Sequence, residues 1–505
     1  MTREDQAAHA AARARVREET LERLRADMSP DGAHALHAVA IRYLARAVSG
    51  AGPVSAGGPA TEPRAFDAAA APAGLDAIAA ELDALASGAN ALWHPMYMGH
   101  QVAPPLPAAI WTESVIGALN QSLAVREMSP SATPIELGLI EWMASLVWGS
   151  NAQRAGGTFT SGGTEAIFTS LLAARNAALP TAAEEGVHAP VALLCGEHAH
   201  YAVKRAASEI GLGSQAVITI ASRAGRMDVA ELERTLDELA DSERPVVAVV
   251  ATAGSTATGA FDPLRDIGEL CVARRVWLHV DAAHGGSALL SARHRRRLDG
   301  IEHASSVSWD PHKMMLVPLS AGVVLVRDRR MLDSAFGQDA PYLFRARNDA
   351  DLDSGDTTEQ GTRSFMCSRR ADALKVWVAL RRYGVDGVVA LFDGLCERAA
   401  ELHDLLGDRD GFETMHAPEC NILCFRYVGS PRLADDVLDG LNLRLRDAWN
   451  ASGAGWITTT VLDGKRVLRV VLMNPLTERE HLLRTIDGLA LLAREPAIAA
   501  PRGLR

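Results

Sequence analysis

Only four lysines, at 204, 313, 375 and 465, occur among the 51 basic residues of this chain. A mechanism that needs an amine nucleophile must choose among them. Lys204 stands beside Arg205 in a helical stretch, Lys375 lies in the helical run ADALKVW, and Lys465 follows a glycine in a DGKR turn. All three positions read as solvated. Lys313 ends the run SVSWDPHK between two β-rich segments, an apolar setting that favours the neutral, nucleophilic amine of a Schiff base. Asp281 stands 32 residues earlier, in WLHVDAAHGG, where an apolar strand ends. A buried acid there needs a cationic nitrogen or a helix to cap. Further upstream, TFTSGGTEAIFTS joins a short β-rich run to an apolar helix through Ser161, Gly162, Gly163 and Thr164. Glycines let backbone N–H groups approach a ligand, and a helix N-terminus favours an anion, phosphate above all. A plain helix cap explains that segment equally well by itself, and the lack of a following Gly-Lys-Ser/Thr excludes a Walker loop. Taken together, these parts describe a site for pyridoxal 5′-phosphate. The lysine holds the aldehyde, the aspartate keeps the pyridine nitrogen protonated and the glycine loop takes the phosphate, with His312 abutting the lysine.

These residues need a scaffold that brings them to one edge. From about 155 onward, β-rich runs at 191–195, 216–220, 246–252, 276–280 and 323–326 alternate with helical stretches such as 200–211, 228–240 and 263–274. This alternation predicts right-handed βαβ units and an α/β fold with a mostly parallel sheet, whose ligands sit beyond the carboxyl ends of the strands. Residues 371–383 read as a long helix leading into a region with strands near 421–427 and 467–473. The expected division is an N-terminal helical segment over 1–90 with a flexible linker at 49–74, a large domain over 91–383 and a small α+β domain over 384–505.

Composition narrows the partners. The 505 residues are 48% hydrophobic and 22% charged, with a net charge of −11, which argues against a nucleic-acid surface. No apolar run approaches the ~18 residues needed to span a bilayer, and the charged N-terminus has no secretory h-region. A cytoplasmic location is expected, with no membrane partner and six reduced cysteines. Glu197, His198 and His200 cluster without a further ligand set, so no metal is expected. The G-x-G-x-x-A run at 211–216 follows a helix and precedes a strand, the reverse of the dinucleotide-binding order.

From about residue 90 to its C-terminus the chain resembles the group II pyridoxal-phosphate-dependent amino-acid decarboxylases. Pro311-His312-Lys313 matches their PHK motif, HVDAA at 279–283 their aspartate segment, AHYAVKRA the segment of their ring-stacking histidine, and ATAGST the segment of a cofactor-side threonine. NQSLAVREMSPSATPIE at 120–136 and MCSRR at 366–370 match further family stretches. Two positions depart from the pattern: Asp310 stands where several relatives have asparagine, and His284 where tyrosine or tryptophan is common.

The resemblance implies fold type I, the PLP-dependent transferase fold, with a seven-stranded sheet and a homodimer whose active site lies at the subunit interface. It implies that Lys313, His200, Asp281 and Tyr342 are catalytic. Gly162, Gly163, Thr164, Thr256, Ala283, Asp310 and His312 join His200, Asp281 and Lys313 in binding the cofactor. Tyr97, His100, Gln101 and Arg469 are the expected substrate-side residues. Tyr342 lies in the polar stretch 333–356, where the family carries a mobile loop over the cofactor, and its phenol is expected to protonate Cα after CO2 leaves. The implied reaction converts an L-amino acid to its amine and CO2. A small polar substrate such as 2,4-diaminobutyrate is preferred, with aromatic or acidic amino acids, or a decarboxylation-dependent aldehyde synthase, as alternatives.

Overall fold

Strands such as VVAVVAT and GVVLV cannot tolerate water on either face, and the architecture covers both. A computed structural model describes residues 30–49, 52–53, 72–338, 340–344 and 359–499. The main sheet contains β1 (Gly156–Thr160), β2 (Ala192–Gly196) and β3 (Val217–Ile220); a short hairpin of β4 (Ser222–Arg223) and β5 (Arg226–Met227) follows. The main sheet is completed by β6 (Val246–Thr252), β7 (Leu278–Asp281), β8 (Ser306–Trp309) and β9 (Gly322–Val326), in the order β1-β9-β8-β7-β6-β2-β3. Only β9 runs against the others, pairing antiparallel with β1 and β8. This is the mostly parallel, seven-stranded α/β sheet expected, with helices between successive strands. The 211–216 run falls between the helix Ala202–Glu209 and β3, the order that disqualified it.

Register does the positioning. Thr252 pairs with Asp281 across β6 and β7, and Asp281 with Ser308 across β7 and β8. Three adjacent strands thus deliver polar side chains to one edge of a mostly apolar sheet. At the end of β1 the chain turns through Ser161-Gly162 into the helix Gly163–Ala178, which buries Ile167, Leu171 and Ala174.

A second, antiparallel sheet of β10 (Phe412–Thr414), β11 (Ile422–Tyr427), β12 (Thr458–Leu462) and β13 (Lys465–Val471) has the order β10-β11-β13-β12. The helix expected at 371–383 extends over Ala373–Gly407 and breaks at Gly384, whose φ of 73° is left-handed.

The chain divides into two units, 1–97 with 447–456, and 98–446 with 457–505. In the smaller unit the helices Pro30–Ser49 and Leu75–Ser87 are linked by ion pairs of Arg42 and Arg46 with Asp83, at 3.4 and 3.3 Å. Most of the expected linker, residues 54–71, lies outside the described residues.

One reading is overturned here. Lys375 was expected to be solvated, but its side chain is fully buried. Its ammonium is tied to Glu113 and Asp372, each at 2.9 Å. Helical periodicity places Lys375 on a face, but the carboxylates that make burial tolerable come from another helix and from the preceding turn.

Candidate active site

At the carboxyl edge of the main sheet lies a cavity of about 360 Å³, lined by the glycine loop, His200, Asp281, Ala283, Asp310, His312 and Lys313 together with several neighbours. The glycine loop is close-packed. A Cβ on Gly163 would lie 2.9 Å from the Ala283 Cβ and 3.1 Å from Asp310 Oδ2, so no larger residue fits. The Gly163 N–H donates to Asp310 Oδ2 at 3.0 Å. The Thr164 N–H takes no protein partner among the described residues, as a first-turn donor awaiting an anion does.

Asp310 is 2% exposed, and its Oδ2 also lies 3.2 Å from Lys313 Nζ. One carboxylate oxygen therefore ties the phosphate loop to the amine; Oδ1 is buried and, among the described residues, has no protein partner. Asp310 thus sets a carboxylate beside the Lys313 amine. His312 donates from Nδ1 to the Ala321 carbonyl at 2.8 Å. Burial holds its pKa below the ordinary value against the pull of Asp310, so the ring stays neutral although Nε2 lies 3.5 Å from Asp310 Oδ2.

Asp281 accepts from Ser308 Oγ at 2.9 Å and from the Ala283 N–H at 3.2 Å, both through Oδ1. Among the described residues Oδ2 takes no protein hydrogen bond, which leaves a nearly buried anionic oxygen in the cavity wall for a cationic ring nitrogen. His200 is half-buried, and the Ala202 N–H donates to its Nδ1 at 3.3 Å, which leaves the proton on Nε2. Burial lowers its pKa against an opposing pull from Asp281. A neutral, oriented imidazole is suited to stack on a flat ring.

This donor set fits pyridoxal phosphate: a primary amine, an unpaired acid oxygen, a neutral stacking ring and a glycine cradle that a Cβ would fill. Gly162, Gly163 and Thr164 would hold the phosphate, Asp281 the pyridine nitrogen, and His200 and Ala283 the ring. When bound, the group supplies an electron sink for the bond broken at Cα.

The structure gives each expected substrate-side residue its own surroundings. Tyr97 is buried in the smaller unit, stacked on Trp456 at 6.3 Å between ring centroids. His100, Gln101 and Arg469 do not line the cavity. The guanidinium of Arg469 donates to the Thr256 and Ala257 carbonyls at 2.6 and 3.0 Å; it braces the loop that brings Thr256 to the cavity. His100 lies close enough to Arg469 and Arg446 for their charges, after burial, to lower its pKa. Tyr342 is 90% exposed and does not line the cavity; residues 345–358 of its loop lie outside the described residues.

Sequence reasoning left several cavity residues without a role. Tyr201 stands 4.1 Å from the His200 ring, under the Arg205 guanidinium at 5.1 Å, and adjacency to His200 was its only signal. His284 walls the cavity with its Nε2 bonded to Asn421 Oδ1 at 2.7 Å. Because the Asn421 amide donates to the Leu472 carbonyl, the imidazole proton sits on Nε2; burial pushes its pKa down to about 3. Leu319 joins the wall from a segment with no motif at all.

The comparisons agree with this chemistry. The family model described as the pyridoxal-dependent decarboxylase conserved domain matches residues 80–428. The L-2,4-diaminobutyrate decarboxylase of Rhizobium meliloti (strain 1021) is 38% identical over 408 residues, 80% of this chain and 78% of that one. The human cysteine sulfinic acid decarboxylase is 34% identical over 66% of this chain and 67% of its own. Among solved structures, mouse CSAD superposes with a TM-score of 0.82 at 26% identity, covering 92% of this chain and 100% of that one. Oryza sativa TDC with PLP and tryptamine gives 0.84 at 25% identity, covering 92% and 99%. With the family model spanning more than half its length, the chain belongs to the pyridoxal-dependent decarboxylases, carboxy-lyases that act on amino acids with pyridoxal phosphate as cofactor.

Proposed function

We propose that this decarboxylase converts L-2,4-diaminobutyrate to 1,3-diaminopropane and CO2. The observation that carries the substrate is likeness to decarboxylases of that amino acid over most of the chain: the Rhizobium meliloti enzyme, and that of Acinetobacter baumannii at 30% identity over 81% of this chain and 80% of its own. Lys313 would hold the cofactor through its aldehyde. Asp281 keeps the ring nitrogen protonated, His200 stacks on the ring, and Asp310, His312 and Thr256 complete the cradle. Tyr342 returns the proton to Cα. Tyr97, His100, Gln101 and Arg469 serve the substrate side.

The working unit is a cytoplasmic homodimer with its site at the subunit interface. All six cysteines are free, and among the described residues no helix is long and apolar enough to cross a membrane. The helix Pro107–Leu119 exposes Trp111, Val115 and Leu119 at four-residue spacing, with Trp377 exposed on a helix packed against it. Such an apolar stripe supports a protein partner. Light scattering that finds a fully active monomer refutes the dimer.

The substrate is tested by measuring CO2 release from the twenty common amino acids, cysteine sulfinate, ornithine and 2,4-diaminobutyrate. The highest kcat/KM is expected with 2,4-diaminobutyrate; a preference for cysteine sulfinate, glutamate, aspartate or an aromatic amino acid overturns the reading.

A further inference from the structure

The chemistry above leaves Lys375 unused, yet four oxygens converge on its buried ammonium. It donates to the Ser320 carbonyl at 2.6 Å and the Pro318 carbonyl at 3.3 Å, and lies 2.9 Å from both Glu113 Oε1 and Asp372 Oδ1. Arg370 pairs with the other oxygen of Glu113, and Ser320 Oγ donates to Asp372 Oδ2 at 3.3 Å. Two cations and two carboxylates balance, which is what lets an ammonium remain out of water.

The two carbonyls flank a single residue, Leu319. It walls the cavity and is itself 58% exposed, so little packing fixes it. Its segment has no strand or helix; the chain reaches regular structure again only at β9. Just beyond, the Ala321 carbonyl takes the His312 Nδ1–H. Main-chain bonds to a buried charge are stronger than neutral ones, and here they do the holding that side-chain packing does not.

We propose that Lys375 is a positioning residue: its ammonium clamps the main chain on both sides of Leu319 and thereby sets the wall that Leu319 presents to the substrate. This rests on the cavity at Lys313 being the site of reaction, and it is independent of which amino acid is consumed.

The test uses the holoenzyme and whichever amino acid the wild type turns over fastest. Lys375→Met is expected to raise KM on the order of tenfold, while kcat and the visible absorption of the bound cofactor stay within about twofold of wild type. The double variant Lys375→Met/Glu113→Gln restores charge balance, so its thermal midpoint recovers while its KM stays high. In a Leu319→Ala background, Lys375→Met adds no further rise in KM, because the two act through one contact. If the double variant recovers KM together with stability, or if Lys375→Met costs as much without Leu319 as with it, the proposal is overturned. Should the single variant not fold, the charge-balanced double variant carries the same comparison. A wild type that prefers cysteine sulfinate sinks the diaminobutyrate reading and leaves this test intact.

Discussion

Replacing Asp281 separates its charge from its shape. The side chain is 7% exposed, and among the described residues its protein donors, Ser308 Oγ and the Ala283 N–H, are neutral and share Oδ1. On the proposed reading its countercharge would be the cofactor's protonated ring nitrogen. Breaking a buried charge pair costs about 3–5 kcal/mol, on the order of a hundredfold to several thousandfold in cofactor affinity. Asp281→Asn keeps the volume and one acceptor oxygen for Ser308, so a loss in that variant reports the charge; Asp281→Ala removes both. The assay titrates apoprotein with pyridoxal phosphate by absorbance and then measures CO2 release at saturating cofactor. Both variants are expected to bind the cofactor weakly. Turnover should stay depressed by at least about 10²-fold even when the site is filled, because an unprotonated ring accepts electrons poorly. Near-normal turnover in Asp281→Asn refutes the charge argument, and near-normal turnover in Asp281→Ala refutes any role.

Borohydride reduction and peptide mapping are expected to find the pyridoxyl group on Lys313; finding it on Lys204, Lys375 or Lys465 removes the assignment. Tyr342→Phe is expected to bind cofactor and substrate but to release aldehyde, ammonia and hydrogen peroxide, with consumption of O2, in place of amine; wild-type amine yield without aldehyde eliminates Tyr342 as the proton donor. Burial holds His279 at a pKa of about 4 and His284 at about 3, below the ordinary 6.5. Between these values the unfolded chain binds the extra protons, so the stability is fully present above pH 6.5 and is lost as pH falls through the folded-state values, by up to about 1.4 kcal/mol per pH unit per histidine. Thermal unfolding from pH 7 to 4 should show that slope, reduced in His279→Asn, which retains an acceptor for Ser170 and Ser306; an unchanged slope rules out His279 as a contributor.

Local chemistry made the centre of this site legible from the chain alone. Lys313, Asp281 and the 161–164 loop each carry their own signal: an amine in an apolar run, an acid at a strand end, and glycines before a helix. Alternating apolar strands and amphipathic helices likewise specified the mostly parallel sheet, because both its faces must be covered. What the linear pattern could not supply is partnership across distance. Asp310 became the link between Gly163 and Lys313 only when β8 and the end of β1 were brought to the same edge. Arg469 donates to two main-chain carbonyls more than 200 residues away in sequence, the Thr256–Ala257 turn that it braces. Lys375 looked solvated because helical periodicity records which face a residue occupies and nothing of what meets that face. Its burial was decided by Glu113 on another helix and by the carbonyls of Pro318 and Ser320. Burying a charge depends on the oxygens that converge on it, and that convergence exists only in three dimensions.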